Sequence, residues 1–187
     1  MKYQTSDFRN GLKIEIDNHP YTVVYFQFVK PGKGTAFTRT KLKHMVTGNT
    51  LERTFRSGET FLAADVEEKS MLYMYDEGDM AVFMDNESYE TVNIMISAIK
   101  DEKDFLTENL EVDVLYYKGR PVNITLPNFI EDEIVYCEPG VKGNTSTNAT
   151  KPATLECGAT VNVPLFVEQG ERIKVDTRTK SYDSRAK

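Results

Sequence analysis

The sequence has little of the chemistry on which disulfide frameworks and metal clusters depend. Its 187 residues include no tryptophan, two cysteines and two histidines. Cys137 and Cys157 are too few and too far apart for a disulfide scaffold or a zinc site. No run approaches the roughly 20 apolar residues of a membrane span, and the first residues lack the apolar core of a signal peptide. These absences exclude the disulfide-rich, zinc-bound and membrane-spanning classes and predict a cytoplasmic protein.

The formal net charge of −6 conceals an uneven distribution along the chain. Residues 1–63 contain ten basic and five acidic side chains, residues 64–126 contain five and fifteen, and residues 127–187 contain eight and nine. A basic end on an acidic protein favours an oriented encounter with a polyanion, because one end is attracted while the middle is held away. The alternative is that the acidic residues only solvate a surface.

Short runs rich in β-branched and aromatic residues recur between turn residues, which predicts an all-β fold of small barrels. Examples are LKIEI, YTVVYFQFV and ERIKVDT. The charge change near residue 63 and the proline at position 127 divide the chain into three domains, 1–63, 64–126 and 127–187. Residues 101–110 depart from this pattern. Their acidic start and their apolar residues at near-helical spacing predict a short amphipathic helix that plugs or covers a barrel.

The stretch KPGKGTAF, residues 30–37, places a lysine between two glycines and joins two strand-like runs. Pro31 fixes its own φ near −65° and stiffens the entry. Gly32 and Gly34 allow positive φ and leave no side chain to obstruct a close neighbour. We therefore expect Lys33 at or next to the tip of a hairpin, where it can approach a partner closely.

Cations continue along the strand that leaves this hairpin. Arg39, Lys41 and Lys43 occupy every second position, which puts all three on one face of the strand. Together with Lys30 at the hairpin entry, they are candidates for contact with an RNA backbone, which requires positive charge but carries no sequence information. The alternative is a solvated edge strand that lysines protect against aggregation.

The surroundings of Lys33 do not indicate catalysis. A P-loop needs GxxxxGK followed by Ser or Thr, but position 27 is Gln and Gly34 follows the lysine. A Schiff-base or general-base lysine requires burial or a neighbouring cation, and a glycine-flanked tip supplies little burial. The sequence also has no GxSxG nucleophile motif. We therefore predict a protein without an active site, a metal or a cofactor of its own.

Several blocks of the sequence resemble bacterial elongation factor P. They are DFRNGLKI, FVKPGKGTAF, TGNTLERTFRSGE, LPNFIEDEIV and, at residues 151–182, KPATLECGATVNVPLFVEQGERIKVDTRTKSY. In the last block the residues at the positions of the family's signature are Lys151, Ala153, Gly158, Val161, Val163, Pro164, Val167 and Gly170. The resemblance is collinear and covers all three predicted domains.

The resemblance implies a KOW-like (SH3-like) N-terminal barrel followed by two OB-type barrels, arranged in an L that resembles a tRNA. It implies a monomeric, non-enzymatic translation factor that binds both ribosomal subunits between the peptidyl-tRNA and exit sites and relieves stalling at consecutive prolines. Its first domain then lies beside the acceptor stem of the peptidyl-tRNA, with Lys33 aimed at the peptidyl-transfer centre. In many members a modifying enzyme extends this lysine, commonly with β-lysine. Other branches use another extension, none, or an arginine.

Two features near the C-terminus limit what the resemblance implies. The loop at residues 143–153 has Asn144 where the family pattern has an aspartate, and it lacks the glycines that often follow, so its contacts near the exit-site codon stay open. Arg185 matches a basic C-terminus that meets RNA, and a frayed tail is the alternative.

A different function is also compatible with predicted OB-type barrels. A general single-stranded RNA-binding protein, or RNA chaperone, would use such barrels to bind free oligonucleotides. That protein would be indifferent to a change at Lys33.

Overall fold

The computed structural model describes residues 1–140 and 149–186, and most of them lie in β-strands. These residues form sixteen strands, arranged in two sheets and one closed barrel. Helical structure in the same residues is limited to one helix, α1 at Lys100–Lys103, and to 3-10 turns at Thr5–Asp7 and Ile96–Ala98. The prediction of an all-β fold is confirmed.

The first sheet has six strands. They are β1 Lys2–Gln4, β2 Lys13–Ile16, β3 His19–Val29, β4 Phe37–His44, β5 Thr50–Arg56 and β6 Thr60–Ala63. Their order across the sheet is β1-β6-β2-β3-β4-β5. The alternation of apolar and polar residues in β2 buries Ile14 and Ile16, because successive side chains of a strand point to opposite faces. The buried core comprises Phe8, Leu12, Ile14, Ile16, Val23, Leu42 and Phe55.

Strands β3 and β4 extend beyond their neighbour β2 as a hairpin arm, residues 24–41. β2 pairs with β3 only from His19 to Thr22, whereas β4 pairs with β3 as far as Val29. β5 pairs with the other side of β4 along its length, up to Phe37 opposite Arg56. Within the arm, β4 is therefore an inner strand, and β3 forms an edge.

The second sheet has five strands. They are β7 Val66–Glu77, β8 Met80–Asp85, β9 Thr91–Met95, β10 Glu111–Tyr117 and β11 Arg120–Thr125. Their order is β11-β10-β7-β8-β9. Most neighbours in this order are also neighbours in sequence, so short connections suffice.

The helix predicted at residues 101–110 is wrong in its extent. Only α1 is helical, and the chain then passes through turns to a backbone pairing with β7, in which Asn109 N–H donates to the Tyr73 carbonyl at 2.8 Å. Phe105, with 1% of its surface exposed, packs in the same core as the side chains of the C-terminal barrel. Because this burial and the pairing with Tyr73 hold the segment, it does not continue as a helix.

The third group is a closed barrel. Its strands are β12 Phe129–Cys137, β13 Thr150–Leu155, β14 Thr160–Pro164, β15 Arg172–Asp176 and β16 Ser181–Arg185, in the order β12-β13-β14-β16-β15. The pairing of β14 with β16 is parallel and the other described pairings are antiparallel. Buried residues such as Ile134, Leu155 and Ile173 fill the barrel.

The described contacts group the chain into two compact units. Residues 1–69 and 114–123 form one, and residues 70–113 and 124–187 form the other. The division into domains 1–63, 64–126 and 127–187 stays a prediction. No helix among the described residues is long and apolar enough to cross a membrane.

Candidate functional site

Lys33 lies at the exposed end of the hairpin arm, in the loop at residues 30–36 between β3 and β4. This loop is longer than the four residues PGKG that the sequence suggests. Gly34 adopts a φ of +115°, a backbone conformation that residues other than glycine rarely adopt. Gly32 does not have a positive φ. Positive φ is thus required at one of the two predicted glycines. Gly32 instead leaves open space, since a Cβ atom there would meet nothing within 4 Å.

The two lysines of this loop are presented to solvent. Lys30 and Lys33 are exposed, and in the part of the chain that the structure describes neither forms an ion pair. Pro31, between them, is half-buried, and its ring lies 3.7 Å from the position that a Cβ atom on Gly34 would occupy. The ammonium groups are therefore free to meet an external anion.

The three alternating cations of β4 share one exposed face. Arg39, Lys41 and Lys43 are exposed, while the side chains between them point into the protein. This stripe lies on an inner strand, with β3 on one side and β5 on the other, so the alternative of an edge strand guarded by lysines is wrong. The charges are also not equivalent. Lys41 pairs with Glu52 of β5 at 3.2 Å.

The arm carries exposed aromatic side chains that sequence reasoning treated only as strand formers. Tyr25, Phe26 and Phe28 are 46%, 38% and 57% exposed. On the cationic face, Tyr25 lies opposite Lys41, and the guanidinium of Arg39 lies 5.6 Å from the ring centre of Phe37. The sequence signal for these exposed rings is the presence of three aromatic residues within four positions of β3, since they alternate between two faces and one face of a small barrel cannot bury them all.

A polar cluster holds the base of the arm, at the turn that leads into β3. The Tyr117 hydroxyl donates to Glu15 Oε2 at 2.8 Å and lies 3.0 Å from the Asn18 carbonyl oxygen, and Lys118 Nζ lies 3.1 Å from the same carboxylate. The hydrogen bond from Tyr117, assisted by Lys118, lowers the pKa of Glu15. Burial, and then the bond to Glu15, raise the pKa of Tyr117. The cluster therefore favours an ionised Glu15 and a neutral Tyr117.

His44 ends β4 beside this base. Its Nδ1 accepts hydrogen bonds from the backbone N–H groups of Val46 and Thr47 at 3.1 and 3.2 Å. Burial, and then the nearby His19, lower the pKa of His44. The neutral imidazole is thus part of the structure that turns the chain from β4 towards β5.

Arg185 does not lie in a frayed tail. It is the last residue of β16, opposite Ile173, and its Nε donates to Glu171 Oε2 at 2.9 Å. Its guanidinium also lies 5.8 Å from the ring centre of Phe166. Arg185 remains exposed, but its charge is partly balanced within the barrel.

The loop at residues 143–153 is described only in part, since residues 143–148 lie outside the described residues. At its described end, Lys151 is buried and its Nζ donates to the Glu138 carbonyl at 2.7 Å. This signature lysine therefore ties β13 to the end of β12. Across residues 1–140 and 149–186 no group of three His, Cys, Asp or Glu side chains is placed to hold a metal ion.

These features define a class of protein, in which small β-barrels present a cationic hairpin arm with an exposed lysine at its end. Comparison with known families makes the class specific. The elongation factor P KOW-like domain matches residues 4–61, the elongation factor P OB domain matches residues 66–124, and the elongation factor P C-terminal domain matches residues 130–185. The chain belongs to the elongation factor P family of translation factors.

Full-length relatives agree with this assignment. The chain is 50% identical over 183 residues to elongation factor P of Natranaerobius thermophilus, which covers 98% of this chain and 97% of that protein. It is 50% identical over 181 residues to elongation factor P of a Synechococcus species, covering 97% and 98%. Membership of this family implies the ribosome as a partner.

The fold is shared with a more distant solved structure. Eukaryotic translation initiation factor 5A from Methanococcus jannaschii superimposes with a TM-score of 0.52 at 22% identity, over 67% of this chain and 94% of that one. At this identity the likeness concerns the fold alone.

Proposed function

We propose that this protein binds the ribosome between the peptidyl-tRNA and exit sites, holds the peptidyl-tRNA in place, and promotes peptide bond formation at consecutive prolines. The observation that carries the proposal is Lys33, which is exposed and forms no ion pair with any described residue, at the end of an arm whose β4 strand bears a cationic face. Such an arm can follow an RNA backbone with its face while it delivers one amine beyond it. Family membership supports the same assignment.

Proline explains why a positioning factor is useful. Its ring fixes φ, so a proline-ending nascent chain and an incoming prolyl-tRNA adopt an attack geometry poorly. A factor that orders the peptidyl-tRNA recovers part of the orientation entropy, which is worth up to about 7–11 kcal/mol in well-aligned model reactions. The reaction then needs no chemistry from the protein beyond contact.

Lys33 acts in this proposal as a donor of charge and hydrogen bonds. A lysine ammonium has three N–H donors and no acceptor, which suits the phosphate and ribose oxygens at the end of a tRNA. No proton transfer by Lys33 is required, so the protein is an accessory factor and not an enzyme. Its site of action is the cytoplasm, and it acts as a monomer.

A covalent extension of Lys33 belongs to the same proposal. Because the loop is exposed and a Cβ atom at Gly32 would meet nothing within 4 Å, a modifying enzyme has access to the ammonium. A β-lysyl or similar group would lengthen the reach of the arm and add a second amine. Intact mass spectrometry of the protein from its native cell tests this part, and a mass equal to that of the bare sequence would contradict it.

The function itself is tested by reconstituted translation of two messages that differ only at one dipeptide, Pro-Pro or Ala-Ala. With saturating protein, the Pro-Pro bond should form at least about tenfold faster, which corresponds to about 1.4 kcal/mol of barrier, while Ala-Ala should be unaffected. Equal acceleration of both bonds, or of neither, would contradict the proposal. Tight binding to free oligonucleotides without either effect would instead favour a general RNA-binding protein.

A further inference from the structure

The outer part of β3 is an exposed edge that carries aromatic side chains. Beyond Val23, β3 pairs only with β4 in the part of the chain that the structure describes. Phe28, at 57%, is among the most exposed large apolar residues of the molecule, and Phe26 is 38% exposed. A sheet edge with exposed aromatics invites aggregation unless it is used for recognition.

Phe26 and Phe28 form one short row on the arm. Phe26 lies opposite Thr40 and Phe28 opposite Thr38, and both threonines are buried on the side of β4 away from the cationic stripe. The Thr40 hydroxyl donates to the Arg53 carbonyl at 2.7 Å, which ties β4 to β5 beneath this row. The two rings therefore lie on a part of the sheet that is formed by three strands, β3, β4 and β5.

Charge indicates the kind of partner that this row meets. The next alternate position after Phe26 and Phe28 is Lys30, and Lys33 follows at the tip. Both lysines are exposed and unpaired within the described residues. Aromatic rings beside free cations are the combination with which proteins bind single-stranded nucleic acid, because bases stack on the rings while the backbone meets the cations.

The spacing of the two rings indicates that the bases of a bound nucleic-acid strand are separated from each other. Two residues of a β-strand span about 6.6 Å, roughly twice the 3.4 Å axial spacing of stacked bases on one strand. The row therefore suits bases that have separated from each other, as at an unpaired end, and does not suit a continuous duplex.

We infer that Phe26 and Phe28 are binding residues that stack against unpaired bases at the 3′ end of the peptidyl-tRNA, next to the contact made by Lys33. This inference rests on the proposed function and adds a second contact to it. The cationic face of β4 meets the RNA backbone, and the aromatic row on the opposite side of the arm holds the bases. Contact on both sides would fix the direction of Lys33 more firmly than charge alone.

The test uses the full chain in ribosome complexes that hold a proline-ending peptidyl-tRNA. Phe28→Ala and Phe26→Ala should each raise the protein concentration needed for half-maximal Pro-Pro synthesis by about tenfold, within the range expected for loss of one base-stacking contact. Phe28→Leu should behave like Phe28→Ala because it keeps apolar volume but lacks a ring, whereas Phe28→Tyr should match the unchanged protein. Tyr75→Ala is the control, since Tyr75 is 55% exposed on β7.

Ultraviolet cross-linking of the same complexes identifies the occupant. The unchanged protein should cross-link from Phe26 or Phe28 to terminal nucleotides of the tRNA, and a Phe26→Leu, Phe28→Leu double variant should lose this product. Cross-links from these residues to ribosomal RNA or to a ribosomal protein would overturn the inference. So would half-maximal concentrations for Phe28→Leu and Phe28→Ala equal to that of the unchanged protein.

Lys33→Ala, assayed in parallel, separates this inference from the proposed function. If Lys33→Ala loses activity while the Phe26 and Phe28 variants keep it, only the stacking contact is refuted. If the unchanged protein does not accelerate Pro-Pro over Ala-Ala synthesis, the proposed function fails and the stacking contact with it. If Lys33→Ala stays as active as the unchanged protein while the Phe26 and Phe28 variants lose activity, only the role of Lys33 is refuted.

Discussion

The hydroxyl of Tyr117 donates a hydrogen bond to Glu15 at 2.8 Å and so joins the end of β10 to β2, the strand that precedes the hairpin arm. These residues are 102 positions apart in the chain. Lys118 pairs with the same carboxylate at 3.1 Å, and Asn18 offers its carbonyl oxygen at 3.0 Å. The arm is thus anchored by a side-chain network as well as by its own strands.

Tyr117→Phe removes this hydroxyl and keeps the ring. Because Glu15 is ionised and only 12% exposed, we expect a loss of about 1.5–2 kcal/mol in the free energy of unfolding, as for a hydrogen bond to a charged group. Chemical denaturation measures it. Tyr75→Phe, at an exposed ring, should change stability by less than about 0.5 kcal/mol, and equal losses in the two variants would contradict the role of the network.

His44 predicts a pH dependence of stability. Its pKa is lower in the folded protein than the ordinary value of 6.5, so protonation favours the unfolded chain. The stabilisation is complete above about pH 6.5 and is lost as the pH falls through the lower folded-state pKa. The ring faces His19 and Tyr21, at 5.2 and 5.0 Å between ring centres.

Thermal unfolding at pH 7.5 and 5.5 checks this expectation. His44→Gln should reduce the drop in melting temperature between the two pH values, and His19→Gln should reduce it by a smaller amount because it removes only the second cause. A drop as large in His44→Gln as in the unchanged protein would refute the assignment.

The two glycines of the arm tip should differ in their tolerance of substitution by alanine. Gly34→Ala places a residue with a Cβ atom at positive φ and should destabilise the observed loop conformation by about 1–2 kcal/mol. Gly32→Ala has open space and no positive φ, so it should leave the loop unchanged. Activity in Pro-Pro synthesis should therefore fall for Gly34→Ala and persist for Gly32→Ala. The reverse order would mean that close approach, and not conformation, selects these glycines.

The cationic stripe should contribute unequally to ribosome binding. Each phosphate contact that is lost lowers the slope of log K against log salt by about one. We expect this change for Arg39→Gln and Lys43→Gln, and a smaller change for Lys41→Gln, because Lys41 already pairs with Glu52. Titration at several salt concentrations measures the slopes, and three identical slopes would show that the internal pair has no effect.

Much of the fold could be predicted from local patterns. The alternation in β2 and β4 identifies their buried faces, and the PGKG stretch identifies the hairpin tip. The sequence pattern indicates β7 poorly, because its first half, VEEKS, has no alternation and only one β-branched residue, Val66, and its pairing with two neighbours defines it instead. Tertiary pairing also overrode the local helical pattern at residues 101–110.

The candidate site was predicted only in part. The stripe and Lys33 follow from spacing and turn chemistry, but the exposure of Phe28 depends on where β2 stops pairing with β3, at Thr22. The pair of Lys41 with Glu52 depends on the register of β5, and the Tyr117 network joins distant segments. A single sequence contains no direct record of these non-local contacts.

We propose that the hairpin arm serves to deliver Lys33 to its partner. The most direct measurement is the rate of Pro-Pro bond formation at saturating protein, compared for the unchanged chain, Lys33→Ala and Lys33→Arg. We predict that Lys33→Ala keeps its melting temperature and loses the acceleration, while Lys33→Arg keeps part of it because the cation and its donors remain. Acceleration of Pro-Pro synthesis by Lys33→Ala equal to that of the unchanged protein would contradict this role of Lys33.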